Sequence, residues 1–219
     1  MKTKELYLTV EGFDYEISMI KDEISSQKIK TRIWDPNMKL SALIVTDVQN
    51  YFLSPGSHAF IPSAPSIIQN IKQLIDLYKA NDRPVIFTKH INNQENAGSM
   101  SYWWNDLVKA GDPLSELYGG LNAPGDLIIS KHQYDAFHGT NLESFLNQHC
   151  ILYPVICGVM TNLCCETTVR TAFVKGFRPV LPIDATAAYN RQFHLATFRN
   201  LSFGFSPLMT TEEVINTLK

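Results

Sequence analysis

The chain has 219 residues, 45% of them hydrophobic and 18% charged, which supplies one sizeable core and is most simply one domain. Its 19 basic and 21 acidic residues give a formal net charge of -2, with no basic surplus to neutralise nucleic-acid phosphates or hold a membrane surface. The expected partner is a small molecule or a second copy of the chain.

No run of eighteen apolar residues occurs, and Met1-Lys2-Thr3-Lys4-Glu5 lacks the apolar core of a signal peptide, so a cytoplasmic protein is expected. In chain order, Leu6-Tyr7-Leu8-Thr9-Val10 and Phe13-Asp14-Tyr15-Glu16-Ile17 alternate apolar and polar around Glu11-Gly12, the signature of a short hairpin. Residues 20–40 are polar and weakly periodic. Residues 1–40 therefore read as an N-terminal appendage on a domain spanning 41–219.

From residue 41 short apolar runs alternate with amphipathic segments, the pattern of a parallel α/β sheet with helices on both faces. Six runs read as strands: Ala42–Thr46, Pro84–Thr88, Asp126–Ser130, Ile151–Cys157, Pro179–Ile183 and Ser206–Met209. Between the first two, Ile67, Ile68, Ile71, Leu74, Ile75 and Tyr78 make a helical stripe. Thr140-Asn141-Leu142-Glu143 and Thr210-Thr211-Glu212-Glu213 have capping-box spacing, which starts helices near Asn141 and Thr211. Gly176 closes a helix that begins after Asn162. The connection 89–125 is long, and its Trp103-Trp104 pair reads equally as a pocket wall or as a plug at the core edge or a subunit interface.

Ligands in open parallel sheets bind beyond the carboxyl ends of the strands. Three reactive side chains follow such ends: Asp47 after the first run, Lys131 after the third and Cys164 beyond the fourth. Taken singly, each has a plain structural reading: a turn cap, a solvated charge, a small core residue. Together they suit nucleophilic catalysis, in which a thiol needs a base within reach and a cation to favour its thiolate. The four cysteines fall within sixteen residues, which is no disulfide framework for a chain of this length. Phe52, Trp103, Trp104, Tyr134 and Phe137 are the aromatic candidates for the wall of a small, flat pocket.

Three motifs, Asp47-Val48-Gln49-Asn50-Tyr51-Phe52, Ser130-Lys131-His132-Gln133-Tyr134-Asp135-Ala136-Phe137 and Gly158-Val159-Met160-Thr161-Asn162-Leu163-Cys164-Cys165, resemble the isochorismatase-like cysteine hydrolase superfamily from about residue 41 to 217. The resemblance implies a six-stranded Rossmann-like sheet and a catalytic triad of Asp47 as general base and acid, Lys131 as its partner and Cys164 as nucleophile. It also implies a cis peptide between Val159 and Met160 and an oxyanion hole made by the backbone N–H groups of Met160 and Cys164. Relatives are commonly dimers or tetramers, so a homodimer or homotetramer is expected.

Cysteine at 164, where the isochorismatases compared carry glycine, points to hydrolysis of a C–N bond in a small amide or ureido compound through a thioester. Vinyl-ether hydrolysis with Asp47 as the acid is the alternative, and a non-catalytic binding module is a third. Nicotinamidases carry metal ligands in a Thr-x-Asp-x-His stretch; here Thr88-Lys89-His90-Ile91-Asn92 lacks that pair, so no metal and no cofactor are expected.

Overall fold

The computed structural model describes residues 3–26, 34, 36–104, 106–122 and 125–218. Its strands are β1 (Ser41–Thr46), β2 (Val85–His90), β3 (Leu127–Lys131), β4 (Tyr153–Val159), β5 (Leu181–Pro182), β6 (Thr186–Ala187) and β7 (Leu208–Met209). The helices are α1 (Phe13–Ser25), α2 (Asn50–Leu53), α3 (Ile68–Ala80), α4 (Met100–Trp103), α5 (Leu142–Gln148), α6 (Glu166–Val174), α7 (Arg191–Gly204) and α8 (Thr211–Leu218).

A parallel sheet in the order β3-β2-β1-β4-β6 forms the centre. Every residue of β1 and β4 is buried, as expected of strands covered on both faces, and their sequences are accordingly apolar runs without alternation. Register is set by pairs such as Leu43 with Val85, Thr46 with Gly158 and His90 with Lys131. The chain moves outward through β2 and β3, then returns to place β4 on the other side of β1. The reversal of strand order therefore lies between β1 and β4, where a crevice is expected.

The sheet has five strands, not the six expected. After Val180, which bridges Val155 of β4, the chain turns away and β5 pairs with β7 as a separate two-stranded ladder. The chain comes back as β6, pairing Gly158 with Thr186 at the end of β4. Two residues carry too little periodicity to announce a strand, which is why β6 went unseen.

The expected hairpin is also replaced. Residues 13–25 form helix α1, whose Ile17, Ile20 and Ile24 are buried at helical spacing, while Asp14 and Glu16 favour its first turn. Over only five residues, period 2 and period 3.6 fit Phe13–Ile17 equally well. Of the weakly periodic stretch 20–40, residues 27–33 and 35 lie outside the described residues.

The local signals at helix ends act as their chemistry dictates. Thr210 Oγ1 accepts from the Glu213 N–H at 3.3 Å and the Glu213 carboxylate accepts from the Thr210 N–H at 2.8 Å, a reciprocal capping box at α8. At α5, Thr140 Oγ1 accepts from Leu142 N–H, but Glu143 reaches Lys175 instead of returning to the cap. Gly176, at φ 91°, ends α6 as its N–H bonds the Phe173 carbonyl and the Phe177 N–H bonds that of Ala172.

Candidate active site

Asp47 follows β1 directly and adopts a left-handed backbone, φ 51°, which turns its carboxylate across the strand ends. Thr88, on neighbouring β2, fixes it twice: its hydroxyl accepts the Asp47 N–H at 3.1 Å and donates to Asp47 Oδ1 at 2.6 Å. The other carboxylate oxygen, Oδ2, lies 2.7 Å from the Lys131 ammonium, and both side chains are fully buried.

Lys131 reaches this point from two strands away. Neighbouring strands are about 4.8 Å apart, so β3 and β1 are separated by roughly 9–10 Å, a gap that the Lys131 and Asp47 side chains close together over the end of β2. What it crosses there is His90, the last residue of β2, whose Nδ1 lies 3.4 Å from Lys131 Nζ. Lys131 Nζ also donates to the Gln133 carbonyl at 2.9 Å and to Cys164 Sγ at 3.4 Å. An ammonium with three hydrogens thus faces four acceptors.

The identity of the free nitrogen on His90 follows from its neighbours. Asn92 Nδ2 donates to the His132 carbonyl at 2.8 Å, which leaves Asn92 Oδ1 as acceptor for His90 Nε2–H at 2.5 Å. The lone pair of Nδ1 therefore points at Lys131. Burial first, and then the Lys131 charge, lower the imidazole pKa to about 4, so the ring is neutral at physiological pH.

Cys164 is delivered by the passage out of β4. Gly158 sits at φ 112° with no room for a side chain, since a Cβ there would meet the Thr46 carbonyl oxygen at 2.1 Å. The Val159–Met160 peptide is cis, and Thr161–Cys165 then form one turn of π-helix before α6. Sulfur, a carboxylate oxygen of Asp47 and a nitrogen of His90 come within 4.8 Å of one another. Cys165 is fully buried in the core.

The surroundings of Cys164 act on its thiol in opposite directions. Burial is the largest influence and pushes the thiol up to about 12; Lys131 pulls it down, while Asp47 pushes it up again. Lys131 is pulled down by burial but raised overall by Asp47 and Cys164. The resting state is an ion pair beside a neutral thiol.

Asp47, His90 and Cys164 have the donor types of a metal site, but their common centre already holds the Lys131 ammonium. The one imidazole among them spends Nε2 on Asn92. With the ammonium in that position, this donor set does not fit a metal ion.

Cys164 opens into a cavity of about 240 Å³, below the ~300 Å³ where sites for drug-sized ligands begin. Aromatic rings of Tyr51, Phe52, Trp104, Tyr134 and Tyr189 line it, and Met160, His58 and Asp106 also face it. Of the aromatic residues expected there, Phe52, Trp104 and Tyr134 are present, the last accepting a hydrogen bond from Trp104 Nε1 at 2.8 Å. Trp103 is not: it is 77% exposed, since adjacent residues on α4 point to different sides. Phe137 is not either, as it stacks on Phe177 in the core with ring centroids 5.8 Å apart.

Thr88, His90 and Tyr189 escaped the sequence reading. Thr88 and His90 carried one available signal, the adjacency of the second run to the first; Tyr189 carried none.

A sequence model of the isochorismatase domain matches residues 41–213. Nicotinamidase 3 of Arabidopsis thaliana is 38% identical over 200 residues, covering 89% of this chain and 96% of that protein. N-carbamoylsarcosine amidase of an Arthrobacter species is 29% identical over 150 residues, 64% of this chain and 57% of that protein. A cysteine hydrolase from Pseudomonas syringae superposes with a TM-score of 0.82 at 26% identity, over 85% of this chain and 96% of its own. A nicotinamidase from Bacillus subtilis gives 0.68 at 26%, over 76% and 98%.

Proposed function

Starting from the fact that this chain belongs to the isochorismatase family of hydrolases, we propose that it cleaves the C–N bond of a small planar amide, an aromatic carboxamide of the nicotinamide type, through a thioester on Cys164. The observation that carries this reading is the meeting of buried Asp47 and Lys131 with Cys164, which lines an aromatic-walled cavity. The 38% identity with a nicotinamidase supports the choice of amide.

The chemistry follows from the resting state. With the thiol pKa near 12, the sulfur does not ionise on its own, so Asp47 takes its proton as the sulfur attacks the carbonyl carbon. Protonating Asp47 frees one Lys131 hydrogen, and the ammonium then faces the incipient thiolate. The amide carbonyl becomes a tetrahedral oxyanion, and the backbone N–H groups of Met160 and Cys164 are the donors assigned to hold it. Its collapse breaks the C–N bond, Asp47 gives its proton to the departing ammonia or amine, and an acyl thioester remains. Water, losing a proton to Asp47, hydrolyses the thioester and regenerates the thiol.

A screen of aromatic carboxamides and small ureides with ammonia detection tests this. Turnover is expected for the wild type and is lost in Cys164→Ala and Asp47→Asn. Were the enzyme a vinyl-ether hydrolase with Asp47 as acid, Cys164→Ala would stay active while Asp47→Asn would not.

A further inference from the structure

Residues 3–8 lie outside the matched family domain, yet they follow a fixed course behind the cavity. Ser63 Oγ accepts from the backbone N–H groups of Tyr7 and Leu8, each at 3.0 Å. The Glu5 N–H donates to the Tyr189 carbonyl at 2.8 Å, and Asn190 Nδ2 donates to the Thr3 carbonyl at 3.2 Å. Lys4 places its ammonium 4.6 Å from the centre of the Tyr189 ring and donates to the His58 carbonyl. Both His58 and Tyr189 line the cavity.

The same segment also connects to the turn that carries the sulfur. The Tyr7 hydroxyl accepts from the Ala188 N–H at 3.0 Å and lies 3.0 Å from Nδ1 of the buried His194. That nitrogen is also 3.1 Å from Thr161 Oγ1. Thr161 opens the π-helical turn that carries Cys164.

We infer that Lys4–Leu8 is a specificity-determining strap, in which Lys4 positions the His58–Tyr189 wall and Tyr7, through His194, positions the turn that presents Cys164. The inference rests on the reading of the cavity as the substrate site. The two functions sit on different residues: loosening the wall should widen what enters, whereas loosening the turn should alter the sulfur. Neither Lys4 nor Tyr7 touches the reacting atoms, so both are positioning residues.

The test uses full-length Lys4→Ala, Lys4→Arg, Ser63→Ala and Tyr7→Phe. Alkylation of Cys164 is followed by site-resolved mass spectrometry at pH 9 without substrate, using iodoacetamide and its bulkier N-benzyl analogue, with exposed Cys150 as internal reference. Lys4→Ala and Ser63→Ala should raise the benzyl-to-iodoacetamide rate ratio at Cys164, while Lys4→Arg retains the cation over the ring and keeps the wild-type ratio. Tyr7→Phe should change the iodoacetamide rate at Cys164 relative to Cys150 by roughly threefold or more. On an aromatic amide, Lys4→Ala should raise KM about fivefold with kcat nearly unchanged.

Wild-type ratios and rates in all four variants would overturn the inference, and so would a Lys4→Arg that behaves like Lys4→Ala. Shifted ratios in a protein that turns over no amide would uphold the strap and count against the amidase reading alone.

Discussion

At the scale of single residues, the site is a neutral thiol held against a buried ion pair. Three ammonium hydrogens among four acceptors mean that one hydrogen bond of Lys131 is shared between His90 and Cys164, which lets it follow the negative charge when Asp47 takes the thiol proton. With the thiol pKa raised to about 12, the thiolate fraction is small at neutrality and grows about tenfold per pH unit. Alkylation of Cys164 in the free protein should therefore climb steadily from pH 7 to 10, where an activated thiolate would give a plateau. Thr88→Val removes both contacts to Asp47, leaving a buried N–H and a carboxylate oxygen short of a donor, and should lower kcat about tenfold or more. Thr88→Ser should retain most of the activity in the same steady-state assay. The convergence of Asp47, Lys131 and Cys164 was legible in the sequence because Asp47 and Lys131 directly follow apolar runs and Cys164 sits in the passage from the fourth run into a helix. Thr88 and His90 were not, since a threonine and a lone histidine at a strand end are ordinary; only the sheet order, with β2 between β1 and β3, shows what Lys131 must pass over.

At the scale of elements, the nucleophile depends on how β4 ends. The run Tyr153–Val159 is a buried strand, and Gly158 within it lets the Thr46 backbone of β1 come closer than any side chain would allow. Gly158→Ala combines that clash with a positive φ of 112°, and should destabilise the protein by about 4 kcal/mol or more, measured as a shift in the urea midpoint at unchanged slope. Helix α1 teaches the limit of pattern reading. Its first five residues alternate like a strand, and only burial of Ile20 and Ile24 on the same face as Ile17 separates the two periods. The Trp103-Trp104 pair makes the same point on a four-residue helix: neighbours in sequence, one lines the cavity and the other faces outward.

At the scale of the whole molecule, the strand order places the reversal of the described sheet between β1 and β4, and the cavity opens there; the apolar runs foretold a parallel α/β sheet with its site beyond the strand ends, but not the strand order. The N-terminal appendage is part of the same core, with Leu8, Ile20 and Ile24 buried in it, and ion pairs from Arg191 to Glu16 and Glu23 tie α1 to α7. Two buried histidines give the fold an acid limit. Burial lowers His194 to about 3 and His90 to about 4, both below the ~6.5 of an unfolded chain. Such groups contribute stability that is complete above pH 6.5 and lost as pH falls toward their folded values. One proton taken up only on unfolding costs at most about 1.4 kcal/mol per pH unit, so urea unfolding free energies should fall by roughly 2 kcal/mol per unit between pH 6 and 4.5 from these two residues. His194→Gln should reduce that slope by about half.

The central claim is that the sulfur of Cys164 carries the acyl group. It is tested most directly by acid-quenching the protein milliseconds after mixing with an aromatic carboxamide and weighing the peptide that contains residues 161–165. The account requires an acyl adduct on Cys164 that forms and decays at the rate of ammonia release and does not form in Asp47→Asn. Ammonia release at the full rate with no adduct at any time, persisting in Cys164→Ala, would contradict it.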